Sequence, residues 1–191
     1  MHGCAPRGPV LAGRDGPAGY IMEPMATRAG RTTQGERDAA AVRVFPPAVP
    51  LVTILAGLAL DRLVPVELAS VLPAPARHWL GGLIAGGAFL GLGLWSVLVM
   101  RRTGQSENPW KPTTEIVARG PYRLTRNPMY LQMVLICIGV AVGLANVWIL
   151  VLTPLCAGVL QALAILPEER YLERTFGAAY RDYKRRVRRW L

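Results

Sequence analysis

Apolar and polar residues are segregated into long blocks along this chain. After Pro46-Pro47 the residues from Ala48 to Leu60 are apolar, and Leu63 to Val66 carry the run past Asp61 and Arg62. Trp79 to Met100 holds no charge at all. Met129 to Ala145 and Val147 to Leu166 are two further apolar runs, separated only by Asn146. A helix of about 17–25 apolar residues is what crosses a bilayer, so the pattern predicts four spans, at about 47–66, 79–100, 129–145 and 147–166. Pro154 is expected to kink the fourth. The short turn at Asn146 makes the last two a helical hairpin, and antiparallel helices of similar length bring their outer ends together. Tyr130 is thereby set beside Glu168 and Glu169. From Pro167 the pattern changes. Leu172, Phe176, Ala179, Tyr183, Val187 and Trp190 recur at steps of three or four among Arg and Lys, which predicts an amphipathic helix over 167–191 lying on the membrane surface. The expected fold is all-α: an integral membrane bundle of about four transmembrane helices with a C-terminal amphipathic interfacial helix.

Composition places the rest. Residues 1–45 mix Gly, Ala, Pro and Arg without period and read as a disordered N-terminal tail without a signal-peptide core. Met22 and Met25 are alternative starts within it. Residues 46–191 form the membrane domain, with 101–128 as a polar, proline-broken loop long enough to be functional. The net charge of +10 could point to nucleic acid, but the excess sits in blocks that flank apolar runs. With four spans the three basic blocks 1–46, 101–128 and 167–191 share one side, which the positive-inside bias makes cytoplasmic. Both termini are then cytoplasmic, the neutral loop 61–79 faces out, and membrane lipids rather than nucleic acid are the expected surroundings.

Several features carry less. Cys4, Cys137 and Cys156 form no CxxC and, with isolated His2 and His78, predict neither a disulfide framework nor a metal site. Gly91-Leu92-Gly93 lacks the preceding strand and third glycine of a dinucleotide fingerprint. Gly82/Gly86 and Gly87/Gly91, four apart, would let a neighbouring helix approach closely, although the oligomeric state stays open. Asp61 facing a polar cavity would mark the substrate end; charge near a helix end is its plainer reading.

The chemistry concentrates in Gly120-Pro121-Tyr122-Arg123-Leu124-Thr125-Arg126-Asn127-Pro128-Met129-Tyr130 and in Glu168-Glu169. Arg123 and Arg126 offer forks for a carboxylate or phosphate. Glu168 and Glu169 suit an ammonium or a ribose hydroxyl, and Tyr122 and Tyr130 offer faces to an adenine or a sulfonium. Pro121 and Pro128 fix the backbone. S-adenosylmethionine is a zwitterion with a base and a cationic sulfur and would use all four kinds of group. Each residue also has a plainer reading. The arginines serve membrane orientation, the two glutamates complement the start of a last helix, and Tyr180 and Tyr183 serve packing.

These same stretches, with Phe176-Gly177, Tyr180, Tyr183, Val187 and Arg189-Trp190, resemble the isoprenylcysteine carboxyl methyltransferase and phospholipid N-methyltransferase family of integral membrane enzymes. The resemblance covers roughly residues 46–191 and is specific over the last 75 or so. It implies S-adenosylmethionine-dependent methyl transfer to a lipophilic or small acceptor at the cytoplasmic face. It also implies a cofactor site framed by Arg126, Asn127, Pro128, Tyr130, Glu168 and Glu169, with Gly120, Pro121 and Tyr122 as the lead-in; no catalytic residue is assigned. Where the family has His this chain has Asn127, which cannot act as a base near neutral pH. That tilts the expected acceptor towards an anionic or weakly basic group. Two alternatives remain: an NADPH-dependent membrane reductase of sterol-reductase type, and a non-catalytic four-helix membrane protein.

Overall fold

The computed structural model describes residues 44–66, 73–104 and 115–191, which contain helices, turns and no strand. Most of the expected tail (1–43) and the loop segments 67–72 and 105–114 lie outside the described residues. Five helices follow in order: α1 (Ala48–Leu63), α2 (Ala74–Arg102), α3 (Pro128–Leu144), α4 (Val147–Phe176) and α5 (Ala178–Arg186).

Helices α2 and α4, of 29 and 30 residues, are long and apolar enough to cross a membrane. Only 17% and 33% of their most apolar stretches are buried within the protein. A core helix of a soluble protein would hide most of that surface. Here Leu83, Phe89 and Leu90 of α2, Val151 and Leu155 of α4, and Leu51, Val52 and Leu55 of α1 all point outward. An apolar perimeter of this kind needs an apolar surrounding. Helices α1 and α3, of 16 and 17 residues, are shorter.

Both long helices contain a π turn, Phe89–Leu94 in α2 and Gln161–Ile165 in α4, that the apolar pattern does not announce. The second changes the reading of the C-terminal region. Pro167 lacks an N–H, but it follows directly on a turn where the i to i−4 ladder is already interrupted, so the helix runs on to Phe176. The expected single helix over 167–191 is therefore divided. Its first part is the end of α4, Gly177 breaks it at φ +54, α5 is short, and from Val187, itself in an extended conformation, the chain is no longer helical.

Helix α2 packs along α3, α3 against α4, and α4 against α1, which also touches α3. The α2–α3 approach is set by Gly81, where a Cβ would fall on the backbone at Gly139 and Gly143. Gly82, Gly86, Gly87 and Gly91, the spacing expected to admit a neighbour, face open space. Cys137, Ile149, Cys156, Leu160 and Ile165 form the centre of the main core. A second, smaller cluster joins Tyr180, Tyr183 and Val187 to Ile116 and Phe176.

The α3–α4 turn is fully specified. Ala145 lies in the left-handed region at φ 51, Asn146 N–H donates to the Ala141 carbonyl at 2.9 Å and Ala145 N–H to Val142 at 3.2 Å, the pair of bonds that closes a Schellman motif. Asn146 Oδ1 then accepts from Ile149 N–H at 2.8 Å, capping α4, and its Nδ2 donates to the Gly57 carbonyl of α1 at 3.4 Å. Asp61 and Arg62 line an open cleft beside Leu144 and Asn146. At 1.5 Å per residue the 17 residues of α3 put that cleft about 25 Å from Pro128. Asp61 therefore stands at the opposite end of the bundle from Tyr130 and Glu168.

Candidate functional site

The other end of the hairpin gathers the polar residues. The chain enters it through the 3-10 turn Gly120–Arg123. Gly120 adopts φ +56, and a Cβ there would press on Val99 and Trp95 of α2, so the turn needs glycine for both its conformation and its closeness to α2. Pro121 and Tyr122 are buried, and Arg123 is exposed. Tyr183 of α5 donates its hydroxyl to the Tyr122 carbonyl at 2.7 Å, which fastens the turn from the C-terminal side. Burial raises the phenol of Tyr122, and the charge of Glu168 raises it further. It stays a hydroxyl donor. Ser96 lies close by, its own hydroxyl donating to the Leu92 carbonyl, and Tyr122 Oη makes no aligned hydrogen bond among the described residues.

Thr125, Arg126 and Asn127 come next. They are held by the non-helical C-terminal residues. Arg126 N–H donates to the Arg188 carbonyl at 2.9 Å. Thr125 Oγ1 donates to the Arg189 carbonyl at 2.9 Å, and Asn127 Nδ2 donates to the same oxygen at 3.1 Å. Asn127 is the N-cap of α3 by position, yet its side chain caps nothing. Pro128 supplies the first helical residue with φ preset and no N–H to satisfy.

The two glutamates are adjacent and differently engaged. Glu169 is buried and accepts both Nε and Nη2 of Arg189, at 3.0 and 2.7 Å. Arg126 Nη1 also approaches its Oε1 to 3.1 Å. That contact is misaligned as a hydrogen bond, and Arg126 Nε and Nη1, both buried, have no hydrogen-bond acceptor among the described residues. Glu168 instead accepts, among the described residues, from Tyr130 Oη at 3.0 Å. The expected adjacency of Tyr130 to the glutamates is thus present as a hydrogen bond. The helix-start reading of the glutamates does not hold: α4 is continuous through them, so no free N–H groups lie there.

Gly120, Pro121, Tyr122, Arg126, Asn127, Pro128, Tyr130, Glu168 and Glu169 therefore share one end of the bundle. Sequence reasoning missed Arg189 as the main partner of Glu169. It also missed Trp190, whose Nε1 donates to Gln161 Oε1 in the π turn at 3.0 Å. It passed over Gln132, whose amide occupies the space a side chain on Gly93 would need. A lone amide in an apolar run, and a glycine in the facing helix, were the available signals for that pair.

Comparison with known proteins adds the remaining constraint. An uncharacterized protein of Haemophilus influenzae is 42% identical over 65 residues, which are 33% of this chain and the whole of that protein. No solved structure matches the chain. Residues 76–179, more than half of the chain, match the phospholipid methyltransferase family. That match runs from the start of α2 into α5 and takes in Gly120 to Tyr130 and both glutamates. With an apolar perimeter, membrane-capable helices and this polar end, the chain belongs to the phospholipid methyltransferase family.

Proposed function

We propose that the protein transfers the methyl group of S-adenosylmethionine to a lipophilic or small acceptor at the cytoplasmic face of the membrane. The observation that carries this reading is a group of buried polar atoms at one end of the hairpin whose hydrogen bonds are incomplete among the described residues: Arg126 Nε and Tyr122 Oη have no hydrogen-bond partner, and Arg126 Nη1 meets Glu169 only in a misaligned ionic contact at 3.1 Å. An unsatisfied buried donor costs about 1–3 kcal/mol, and more when charged. A bound anion relieves that cost at Arg126. The guanidinium fork fits the carboxylate of an amino-acid cofactor, and the aromatic faces of Tyr122 and Tyr130 fit a cation or a base. Glu168, with one donor on it, is left to accept a ribose hydroxyl or an ammonium.

When bound, the cofactor supplies an electrophilic methyl on a sulfonium. The residues of the chain position and exclude water. Arg126 holds the carboxylate end, Tyr130 orients Glu168, and Glu169 is committed to two arginines. Asn127 donates to a backbone carbonyl, a role that a protonated ring nitrogen of His would fill equally. Asn in place of the family's His then removes no base from this site, and an anionic or weakly basic acceptor needs none. For topology, we take α1 to α4 as four spans with the three basic blocks on the cytoplasmic side, and α5 as lying at that interface. The family match favours methyl transfer over the sterol-reductase reading.

Calorimetric titration of S-adenosylhomocysteine into the detergent-purified protein tests the proposal. Wild type binds. Glu168→Gln loses a charged hydrogen bond worth about 1.5–3 kcal/mol, roughly tenfold to a hundredfold in affinity. A folded, monodisperse wild type that takes up no ligand refutes the site, and NADPH is then the next ligand to titrate.

A further inference from the structure

The last five residues form a strap across the polar end, and most of its hydrogen bonds reach residues 125–127 of the loop and Glu169 and Gln161 of α4. The carbonyl of Arg188 receives Arg126 N–H, and the carbonyl of Arg189 receives Thr125 and Asn127. The Arg189 guanidinium takes both oxygens of Glu169, and Trp190 anchors the end to Gln161. Glu169 in turn meets Arg126 Nη1 in a misaligned ionic contact at 3.1 Å, while Arg126 Nε has no hydrogen-bond acceptor among the described residues. The strap's hydrogen bonds to the loop fall on Thr125, Arg126 and Asn127, and its charged contact falls on Glu169.

We infer that Arg189 is a positioning residue of the cofactor site: it saturates Glu169 so that Arg126, held by a misaligned contact and not locked into a fork, can turn its donors to the ligand. The inference rests on the proposed methyltransferase reading. The physical reason is competition for one carboxylate. With Arg189 in place, both Glu169 oxygens are occupied by a planar fork in its preferred geometry. Arg126 is left with a misaligned contact. Without Arg189 the nearest cation to Glu169 is Arg126, which would rotate into a bidentate pair and withdraw Nε and Nη1 from the site. The strap carbonyls add to this by fixing the backbone at residues 125–127, so the direction of the Arg126 side chain is set from both ends.

The test is titration of S-adenosylhomocysteine into full-length, detergent-purified Arg189→Ala and Arg189→Lys, with affinity and stoichiometry read separately. A positioning role predicts that Arg189→Ala binds at least tenfold more weakly at unchanged stoichiometry. Lys, a point charge without the fork, is expected to restore affinity only in part. Adding Glu169→Gln to Arg189→Ala is expected to recover affinity, because the carboxylate that captures Arg126 is gone. A merely structural role would lower the bound fraction and leave the affinity of the folded fraction at the wild-type value, and that result overturns the inference. So does an Arg189→Lys protein, folded by circular dichroism, whose affinity equals that of wild type. A wild type that does not bind at all overturns the cofactor site and this inference with it.

Discussion

Two helices of the bundle begin at an asparagine, one at each end of the α3–α4 hairpin, and the two asparagines are used in different ways. Asn146 caps its own helix through Oδ1 and ties α1 to the turn through Nδ2. Its hydrogen-bonding capacity is consumed by scaffold. Asn127 caps nothing and sends its amide to the C-terminal strap. The difference extends to the surroundings. At the turn, Schellman bonds and the cap satisfy the backbone with neutral groups. At the other end a buried carboxylate faces two arginines, and Arg126 keeps donors without an aligned acceptor among the described residues. One end is built to be complete by itself, the other to be completed by something else. Residues of the same type at equivalent positions in a helix thus say little about role until their partners are known.

The sharpest way to break this comparison is at Glu169. Glu169→Gln removes the charge that both arginines face. Breaking a buried ion pair by deleting one partner costs about 3–5 kcal/mol, because the other charge is left uncompensated. Arg126 is the cation that suffers, as Arg189 is partly exposed and can reach water. The expected outcome in thermal unfolding is a loss of that size, well beyond the change at any neutral position. A Glu169→Gln protein as stable as wild type would show that the polar end is not held by charge.

Next in size are the asparagines. Asn146→Ala removes a buried cap and a tie to α1, and a lost cap costs about 0.5–2 kcal/mol. Its S-adenosylhomocysteine affinity is expected to be unaltered. Asn127→Ala loses one hydrogen bond, about 1 kcal/mol, and Thr125 still holds the strap. Its affinity is expected to fall more than its stability. Asn127→His keeps a donor and is expected to retain binding, whereas Asn127→Asp, which offers the Arg189 carbonyl no proton, is expected not to. Equal loss of affinity in the alanine variants of both asparagines would erase the distinction between the two ends.

Much of this was legible before any coordinates. Length and charge placed α1 and α3 to within a few residues and the start of α4, but α2 begins five residues earlier than expected and α4 runs ten residues further; the single-residue turn at Asn146 was enough to bring Tyr130 to Glu168. What escaped has common causes. Glu168 and Glu169 look equivalent in a string, but adjacent residues on a helix point about 100° apart, and only one of them meets Arg189. The strap is held largely through carbonyls of Arg188 and Arg189, which every residue possesses, so no side-chain pattern betrays it. Its apolar residues, Val187 and Trp190, fit a helical period by spacing while the chain is not helical there. The glycines of α2 show the same limit. Gly81 and Gly93 make close contacts and Gly82, Gly86, Gly87 and Gly91 make none, because a small residue matters only where another helix happens to lie. The π turns, finally, arise from local backbone geometry around otherwise ordinary apolar residues.

The smallest effect falls on the complete end, at Ala145. It is the one described non-glycine residue with positive φ, and an L-residue in that conformation costs about 1–2 kcal/mol relative to glycine. The Schellman bonds from Ala145 and Asn146 to Val142 and Ala141 hold it there. Glycine at this position removes the strain and adds disorder to the unfolded chain, which offsets about 0.4–1 kcal/mol of the gain. Ala145→Gly is therefore expected to stabilise the protein by a few tenths to about 1 kcal/mol in thermal unfolding. It lies some 25 Å from Pro128 by the length of α3, so the affinity for S-adenosylhomocysteine should not move. A destabilised variant would mean that the Ala145 methyl contributes packing that outweighs its backbone strain. A stabilised variant with altered affinity would mean that the turn and the polar end are mechanically linked along α3, and the division of the bundle into a complete and an incomplete end would no longer hold.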